Sequence, residues 1–388
     1  MGDVEQGAVS VRLMGAIAEI EAAAWDACAG ADNPFVSHAF LTALEASGSA
    51  SPESGWAPYH LVVEDGAGGL SGALPMYLKS HSYGEFVFDH AWAHAYERAG
   101  GRYYPKLQVS VPFTPVPGPR LLARPGPGAP RTRAALAAGC VEVARRLEVS
   151  SLHVTFCEEE EWRQLGNSGF LLRTDQQFHW QNQGYASFDE FLSSLASRKR
   201  KTIRKERREA LASGVTIESL SGDRIDERHW DAFFGFYLDT SERKWGSPYL
   251  NRDFFRRLGE TMAERVVLVM CARDGRYVAG ALNLVGGDAL YGRYWGCLEH
   301  HRFLHFEVCY YRAIDYAIEH RLGRVEAGAQ GQHKLSRGYL PSKTYSAHWV
   351  RDAGFREALE AYLRQERSEV DFDIRLLGHH SPFRKEGG

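Results

Sequence analysis

The chain has 388 residues, and its 46 basic and 49 acidic side chains leave a formal charge of −3, so no overall cationic field draws it to nucleic acid or to an anionic membrane. That length holds roughly two or three domains with full cores. No run approaches about 18 apolar residues and the start lacks a basic stretch followed by an apolar one, so neither a membrane span nor secretion is expected, and a cytoplasmic setting is.

The first predicted element is a helix over about 15–29. NPFVSHAFLTALEASG follows, with Ser37 placed to cap a second helix carrying Phe40, Leu41 and Leu44. Strands are predicted at Tyr59–Glu64, Leu70–Lys79 and Glu85–Asp89. The stretch over about 93–130 is too rich in Pro and Gly to be regular throughout; within it KLQVSVPF alternates like a strand and PFTPVPGPR is extended and rigid. A helix over 132–147, a strand Ser151–Cys157 and a last strand Gln176–Gln181 close the first half.

The second half opens with a long helix over 187–213, whose apolar stripe includes Phe191, Leu195, Ile203 and Ala210 and which Ser213-Gly214 stops. Strand VTIESL, helices over 227–241 and 252–263, and a strand over 265–272 come next. Gly286-Gly287 then divides two strand-like runs as a hairpin turn would. A helix ending at Gly323, the strand RVEAG and the polar loop AQGQHKLSRGY follow, then a charged helix over 354–367. The six cysteines are scattered with no C-x-x-C pair, which fits reduced core residues and no zinc site.

The halves resemble each other. Gly72, Ala73, Leu74, Tyr83 and Gly84 match Gly280, Ala281, Leu282, Tyr291 and Gly292 at one constant offset. Gly169-Phe170 with His179-Trp180 matches Gly338-Tyr339 with His348-Trp349 at a smaller one, and Trp25-Asp26-Ala27 matches Trp230-Asp231-Ala232. The smaller second offset assigns the extra residues of the first copy to the Pro-rich stretch. Self-similarity over so long a period predicts a duplication, with domains over 1–185 and 186–388 and an insertion over about 93–130.

Each half reads helix, helix, three antiparallel strands, helix, strand, strand. That order matches the GNAT acyltransferase fold, so the expected class is α/β (α+β), with two tandem GNAT-like (acyl-CoA N-acyltransferase-like) domains and mixed central sheets. The segments GGRYYPKLQVSVPFTPVPGPRLL, SRKRKTIRKERREALASGV and LHFEVCYYRAIDYAIEHRLGRVEAGAQGQHKLSRGYLPSKTYSAHW resemble the FemAB-like acyltransferases, a bacterial peptidoglycan biosynthesis/recognition group. The resemblance implies transfer of an activated acyl or aminoacyl group to an amine. FemAB-like enzymes take it from aminoacyl-tRNA and deliver it to a peptidoglycan precursor; GNAT enzymes take it from coenzyme A. GCLEHHRFLHFE lacks the Q/R-x-x-G-x-G/A turn of coenzyme A users, which favours aminoacyl-tRNA over acyl-coenzyme A. A tightly bound cofactor is not expected. The alternatives are an acyl-coenzyme A-dependent N-acyltransferase acting on a small molecule, and a binding protein for a cell-wall precursor or RNA.

Acyl transfer needs a base, a group that polarises the carbonyl and a proton for the leaving group. Glu326, at the end of a buried-looking strand, is the first candidate base. Glu307 and His305 stand at the start of the central helix, and Tyr294 is a candidate proton donor. In the polar loop, Lys334 and Arg337 suit an anion, and Gln330, Gln332 and His333 suit amide or sugar groups. Tyr104 and Lys106 are expected to face a cleft from the Pro-rich stretch, with the first domain as a lid or second wall. RKRKTIRKERR holds eight basic residues; Arg198, Lys201, Arg204 and Lys205 are the candidates for phosphate or RNA contact, and a plain solvated helix face is the simpler reading. No residue set suggests a metal site.

Overall fold

The computed structural model describes residues 10–66, 68–212, 214–245, 247–328 and 331–384. Ser213 and Gln330 therefore lie outside the described residues.

The first part of the chain runs through β1 (Val11–Met14), α1 (Ala22–Ala29) and α2 (His38–Ala46), then β2 (Trp56–Pro58), β3 (His60–Glu64), β4 (Leu70–Leu74) and β5 (Met76–Lys79). Ser37 caps α2 as expected, its hydroxyl accepting from the Phe40 amide. Pro75 divides the expected strand Leu70–Lys79, because a residue without an N–H cannot continue the ladder. After it come α3 (His90–Arg98), β6 (Lys106–Val109), β7 (Leu122–Ala123), α4 (Ala129–Arg146), β8 (Ser151–Cys157), α5 (Glu159–Asn167) and β9 (Leu171–Gln181). The expected strand Glu85–Asp89 is absent; Glu85 and Asp89 instead turn inward to the buried Lys106 ammonium.

The second part has α6 (Phe188–Ser194) and α7 (Ser197–Leu211) where one long helix was expected. The break has a cause: Leu195 is extended and bridges Phe383, and the Ala196 amide donates to Pro382 O at 2.9 Å. Then follow β10 (Thr216–Leu220), α8 (Glu227–Trp245), α9 (Arg252–Met262), β11 (Val266–Arg273), β12 (Arg276–Val285) and β13 (Ala289–Cys297). The central helix is composite: α10 (Leu304–Phe306), a π-helical turn Glu307–Tyr311, and α11 (Arg312–Glu319). The chain ends in β14 (Arg324–Glu326), a 3-10 turn Gln332–Arg337, β15 (Leu340–Val350) and α12 (Ala353–His379). None of the described helices is long and apolar enough to cross a membrane.

Two compact units result, and they do not follow the expected cut at 185/186. One runs up to Arg173 and takes in Tyr345–Glu366; the other is Thr174–Thr344 with the residues from Arg367 onward. β9 carries the chain out of the first unit and β15 carries it back. In the first unit β6 lies parallel to β8, and β8 pairs antiparallel with Tyr345–Val350. In the second, β13 lies parallel to β14, which pairs antiparallel with His179–Gln181. A helix joins the parallel strands each time, α4 in one unit and the composite helix in the other. Each forms an apolar layer, with Leu136 and Cys140 against Leu107 and Leu152, and Tyr311 and Ile314 against Val325 and Trp180.

The registers agree residue by residue. His348 stands opposite His153 and Trp349 opposite Leu152; His179 stands opposite Glu326 and Trp180 opposite Val325. The repeated Gly-Phe/Tyr…His-Trp motif thus occupies one structural position in both units, and His153 is the counterpart of Glu326. Gly72 and Gly280 also hold like places, opposite Val63 and Met270. The match of Tyr83-Gly84 with Tyr291-Gly292 does not hold. Tyr291 and Gly292 belong to β13, whereas the first unit fills that role with β6, reached only after α3.

Candidate active site in the second unit

β13 and β14 touch only over Ala289–Tyr291 and Arg324–Glu326. Past Glu326 the chain leaves the sheet while β13 continues to Cys297, so the strands diverge. A cavity of about 540 Å³ fills the divergence. It is lined from both faces of β13: Tyr294 meets the Tyr237 ring of α8 edge-on at 5.2 Å, and Trp295 meets His305 of the central helix at 5.4 Å. α8 can sit this close because position 296 is glycine; a Cβ there would be 2.2 Å from Phe236 O. The β12–β13 register slips between Leu282 and Asn283, where β13 carries the extra residue Arg293; both Asn283 and Arg293 line the cavity, the Asn283 amide donating to Val267 O at 3.2 Å.

The π-helical turn brings Cys309 and Tyr310 to the same cavity. Tyr310 hydroxyl and His333 Nε2 share a hydrogen bond of 2.9 Å. Gly331 has φ +115° and abuts the His333 ring, where a Cβ would come within 2.5 Å. Lys334 is buried, and its ammonium donates to Ala327 O at 2.6 Å and Gly328 O at 2.9 Å. Burial pulls its pKa down to about 8. His333 is exposed yet also lowered, by desolvation first and then by Arg337 and Lys334.

Several expected site residues come together here. Tyr294, His305, His333 and Lys334 line the cavity, and burial pushes the Tyr294 phenol up. Glu326 is buried beside the wall residue Ala327; its Oε1 accepts from Arg324 Nε at 2.9 Å. Among the described residues Glu326 Oε2 has no hydrogen-bond partner, and it stands 3.7 Å from His179 Nε2. Gln332 sits on the 3-10 turn with the loop residues.

Others serve the scaffold instead. Glu307 is wholly buried, accepting from Arg207 at 3.1 and 3.0 Å and from Arg312 at 3.1 Å, so its carboxylate is neutralised inside the unit and does not face a substrate. Arg337, expected to bind an anion, is likewise buried. Its guanidinium donates to Glu206 at 2.8 and 3.0 Å and to His333 O at 2.7 Å, and lies 3.5 Å over the Phe306 ring. Lys106 belongs to the first unit and is fully buried, donating to Ser82 at 2.8 Å, Glu85 at 2.7 Å and Asp89. Tyr104 shares a 2.8 Å hydrogen bond with the same Ser82. Closed inside this cluster, Lys106 presents no face to a ligand.

On α7, Arg198, Lys201, Arg204 and Lys205 are exposed. Arg204 pairs with Asp189 at 3.0 Å and Lys205 with Glu209 at 3.6 Å; Arg198 and Lys201 form no ion pair among the described residues. The inner face of the helix is what sequence reasoning missed. Glu206 holds Arg337 and accepts from Tyr311, and Arg207 holds Glu307 and Asp315. Glu206 falls three residues after Ile203 and four before Ala210, on the apolar stripe, and that spacing was the available signal of its burial. Tyr237 and Asn283 gave no comparable signal.

The sequence profile described as FemAB-like, peptidoglycan biosynthesis/recognition, matches residues 16–385. No curated protein matches the chain. Among solved structures, FemX is similar over 90% of this chain and 100% of its own, with a TM-score of 0.55 and 13% identity. L-PGS from Bacillus licheniformis is similar over 86% of this chain and 98% of its own, at 0.52 and 8%. A tandem GNAT protein from the clavulanic acid biosynthesis pathway covers 88% of this chain and 98% of its own at 0.46 and 14%. Identities this low speak to the fold alone.

Proposed function

Because the chain belongs to the FemAB-like family of peptidoglycan biosynthesis/recognition proteins, we propose that it is an acyltransferase whose reaction takes place in the open divergence of the second unit. The observation that carries this reading is the lining of one cavity from both faces of β13. An acyl donor entering from one face and an amine from the other meet without a covalent enzyme intermediate. The amine nitrogen attacks the carbonyl carbon, the new C–N bond forms, and the C–O bond to the donor ribose breaks. Glu326 takes the proton from the amine, directly or through a water, and its unbonded Oε2 is free to accept it. Tyr294, kept protonated by burial, supplies the proton to the leaving oxygen.

Aminoacyl-tRNA is the favoured donor, with Arg198, Lys201, Arg204 and Lys205 on the exposed face of α7 as its phosphate contacts. The acceptor is an amine-bearing small molecule or a peptidoglycan precursor. The test is to incubate the protein with charged tRNAs and with acyl-coenzyme A in the presence of such amines, and to follow donor consumption by mass. Deacylation of tRNA with an acylated amine is expected. Consumption of acyl-coenzyme A alone overturns the donor, and binding without turnover of either overturns the enzyme. With a donor in hand, Glu326→Gln is expected to lower kcat/KM by about 10²–10⁴-fold while the protein remains folded.

A further inference from the structure

Three lysines are buried among the described residues: Lys79, Lys106 and Lys334. The first two have acidic partners, Lys106 donating to Glu85 and Asp89 and Lys79 lying 3.9 Å from Glu85. Among the described residues Lys334 has none within ion-pair distance, and two carbonyls, Ala327 O and Gly328 O, accept from its three N–H donors. It is also the only one of the three that lines the cavity. Buried charges are ordinarily paired, since an ammonium taken out of water loses more than two neutral carbonyls return.

The rest of the wall has the same bias. Arg293 adds a second cation, Asn283, Thr240 and Tyr237 add neutral polar groups, and none of the described residues lining the cavity is an acid, Glu326 lying behind the wall at Ala327. From this we infer that the part of the substrate entering the cavity carries an anionic oxygen group, a carboxylate or a phosphate, which serves as the partner of Lys334. Desolvation also lowers the pKa of Lys334, which agrees. The inference rests on the proposed function only for the cavity's role; binding alone tests it.

Binding to the whole protein is measured by calorimetry with succinamate, its neutral isostere succinamide, the cationic β-alaninamide and inorganic pyrophosphate. Succinamate is expected to bind at least about ten-fold more tightly than succinamide, and β-alaninamide least of all. The preference is expected to vanish in Lys334→Met, to survive in Lys334→Arg, and to fade between pH 7 and pH 9.5 as Lys334 loses its proton. Cys309, the other wall group whose ordinary range overlaps that window, is separated by Cys309→Ala. Lys334-dependent binding of pyrophosphate above that of succinamate assigns the anion to the donor's phosphates; the reverse order assigns it to the acyl group. Equal binding of succinamate and succinamide, or an anion preference that survives Lys334→Met, overturns the inference. The pH series on the unaltered protein decides the matter if the variant does not fold. Anion selectivity without acyl transfer would sink the proposed function and leave this inference standing.

Discussion

The two units use one frame to opposite ends. In each, a helix joins two parallel strands that part after a few residues. In the first unit the gap past β6 is filled by the chain itself: Gly118 N donates to Phe156 O at 3.0 Å and Arg120 Nε to Thr155 O at 3.0 Å, taking the β8 carbonyls that β6 leaves. Arg120 is fully buried, its other donors met by Val116 O at 2.8 Å and by Gly118 O and Pro119 O at 3.1 Å each. In the second unit the same divergence is open, bordered by a loop whose Lys334 is not matched by any acid among the described residues. A Pro-rich stretch, all acceptors and few donors, gives an arginine a place to close a gap. A short Gly-containing loop does not reach across. The paired residues on the strands differ in step: His153 and His348 share a hydrogen bond of 2.7 Å, whereas Glu326 and His179 stand apart with a carboxylate oxygen unused.

If the first gap is structural and the second functional, Arg120→Met should do the greatest harm to stability. It strands four carbonyls, three of them buried, and a loss of about 3–5 kcal/mol is expected in urea unfolding. Lys334→Met, at the corresponding gap, removes a buried charge that has no acidic partner among the described residues, and should not destabilise the protein. Equal losses in the two variants would erase the contrast.

An open gap has to be held open from outside. Glu206→Gln leaves Arg337 buried without a full charge partner, so a loss of about 3 kcal/mol is expected. Pairing it with Arg337→Met should recover part of that loss, and a coupling below about 0.5 kcal/mol in the double-mutant cycle would mean that the Glu206–Arg337 pair does not hold the loop.

Titration offers a smaller, unit-specific signal. Burial lowers Lys79 to about 7 and Lys334 to about 8. Above those values the folded protein has released a proton that the unfolded chain keeps until its ordinary lysine range, so stability rises with pH in that window, by up to about 1.4 kcal/mol per pH unit for each group. Glu85, pushed up to about 7, acts below the window and with the opposite sign. Lys79→Met should remove the slope that begins near pH 7, and Lys334→Met the one that begins near pH 8. Unchanged slopes in both variants would mean that neither lysine is desolvated in solution.

The smallest effect belongs to the surface. Lys201→Gln should alter stability by less than about 0.5 kcal/mol, yet lower the salt dependence of any RNA binding by about 0.7–0.9 in log–log slope. A slope that does not move takes Lys201 out of the RNA contact.

Local chemistry made much of this legible in advance. Ser37 as a cap, the β12–β13 hairpin and the strand Ser151–Cys157 are written in short stretches, because a hydroxyl before a helix or a glycine pair in a turn acts on its immediate neighbours. The repeated His-Trp motif carried the duplication. α3 and α5 went unseen, as their faces are short and charged, and the kink between α6 and α7 depends on Phe383, far along the chain.

The sequence by itself determined the family, the α/β frame and the stretch around residues 326–337 as the place where polar groups gather. Only the tertiary structure decided which of those groups face a ligand. In one dimension Glu307 looks catalytic and Arg337 looks like an anion binder, but Arg207 and Glu206 reach them from a helix about a hundred residues away and consume their charge. Lys334 has no such partner among the described residues, and that difference arises because burial and counter-charge are properties of a neighbourhood, which the order of residues along a chain does not specify.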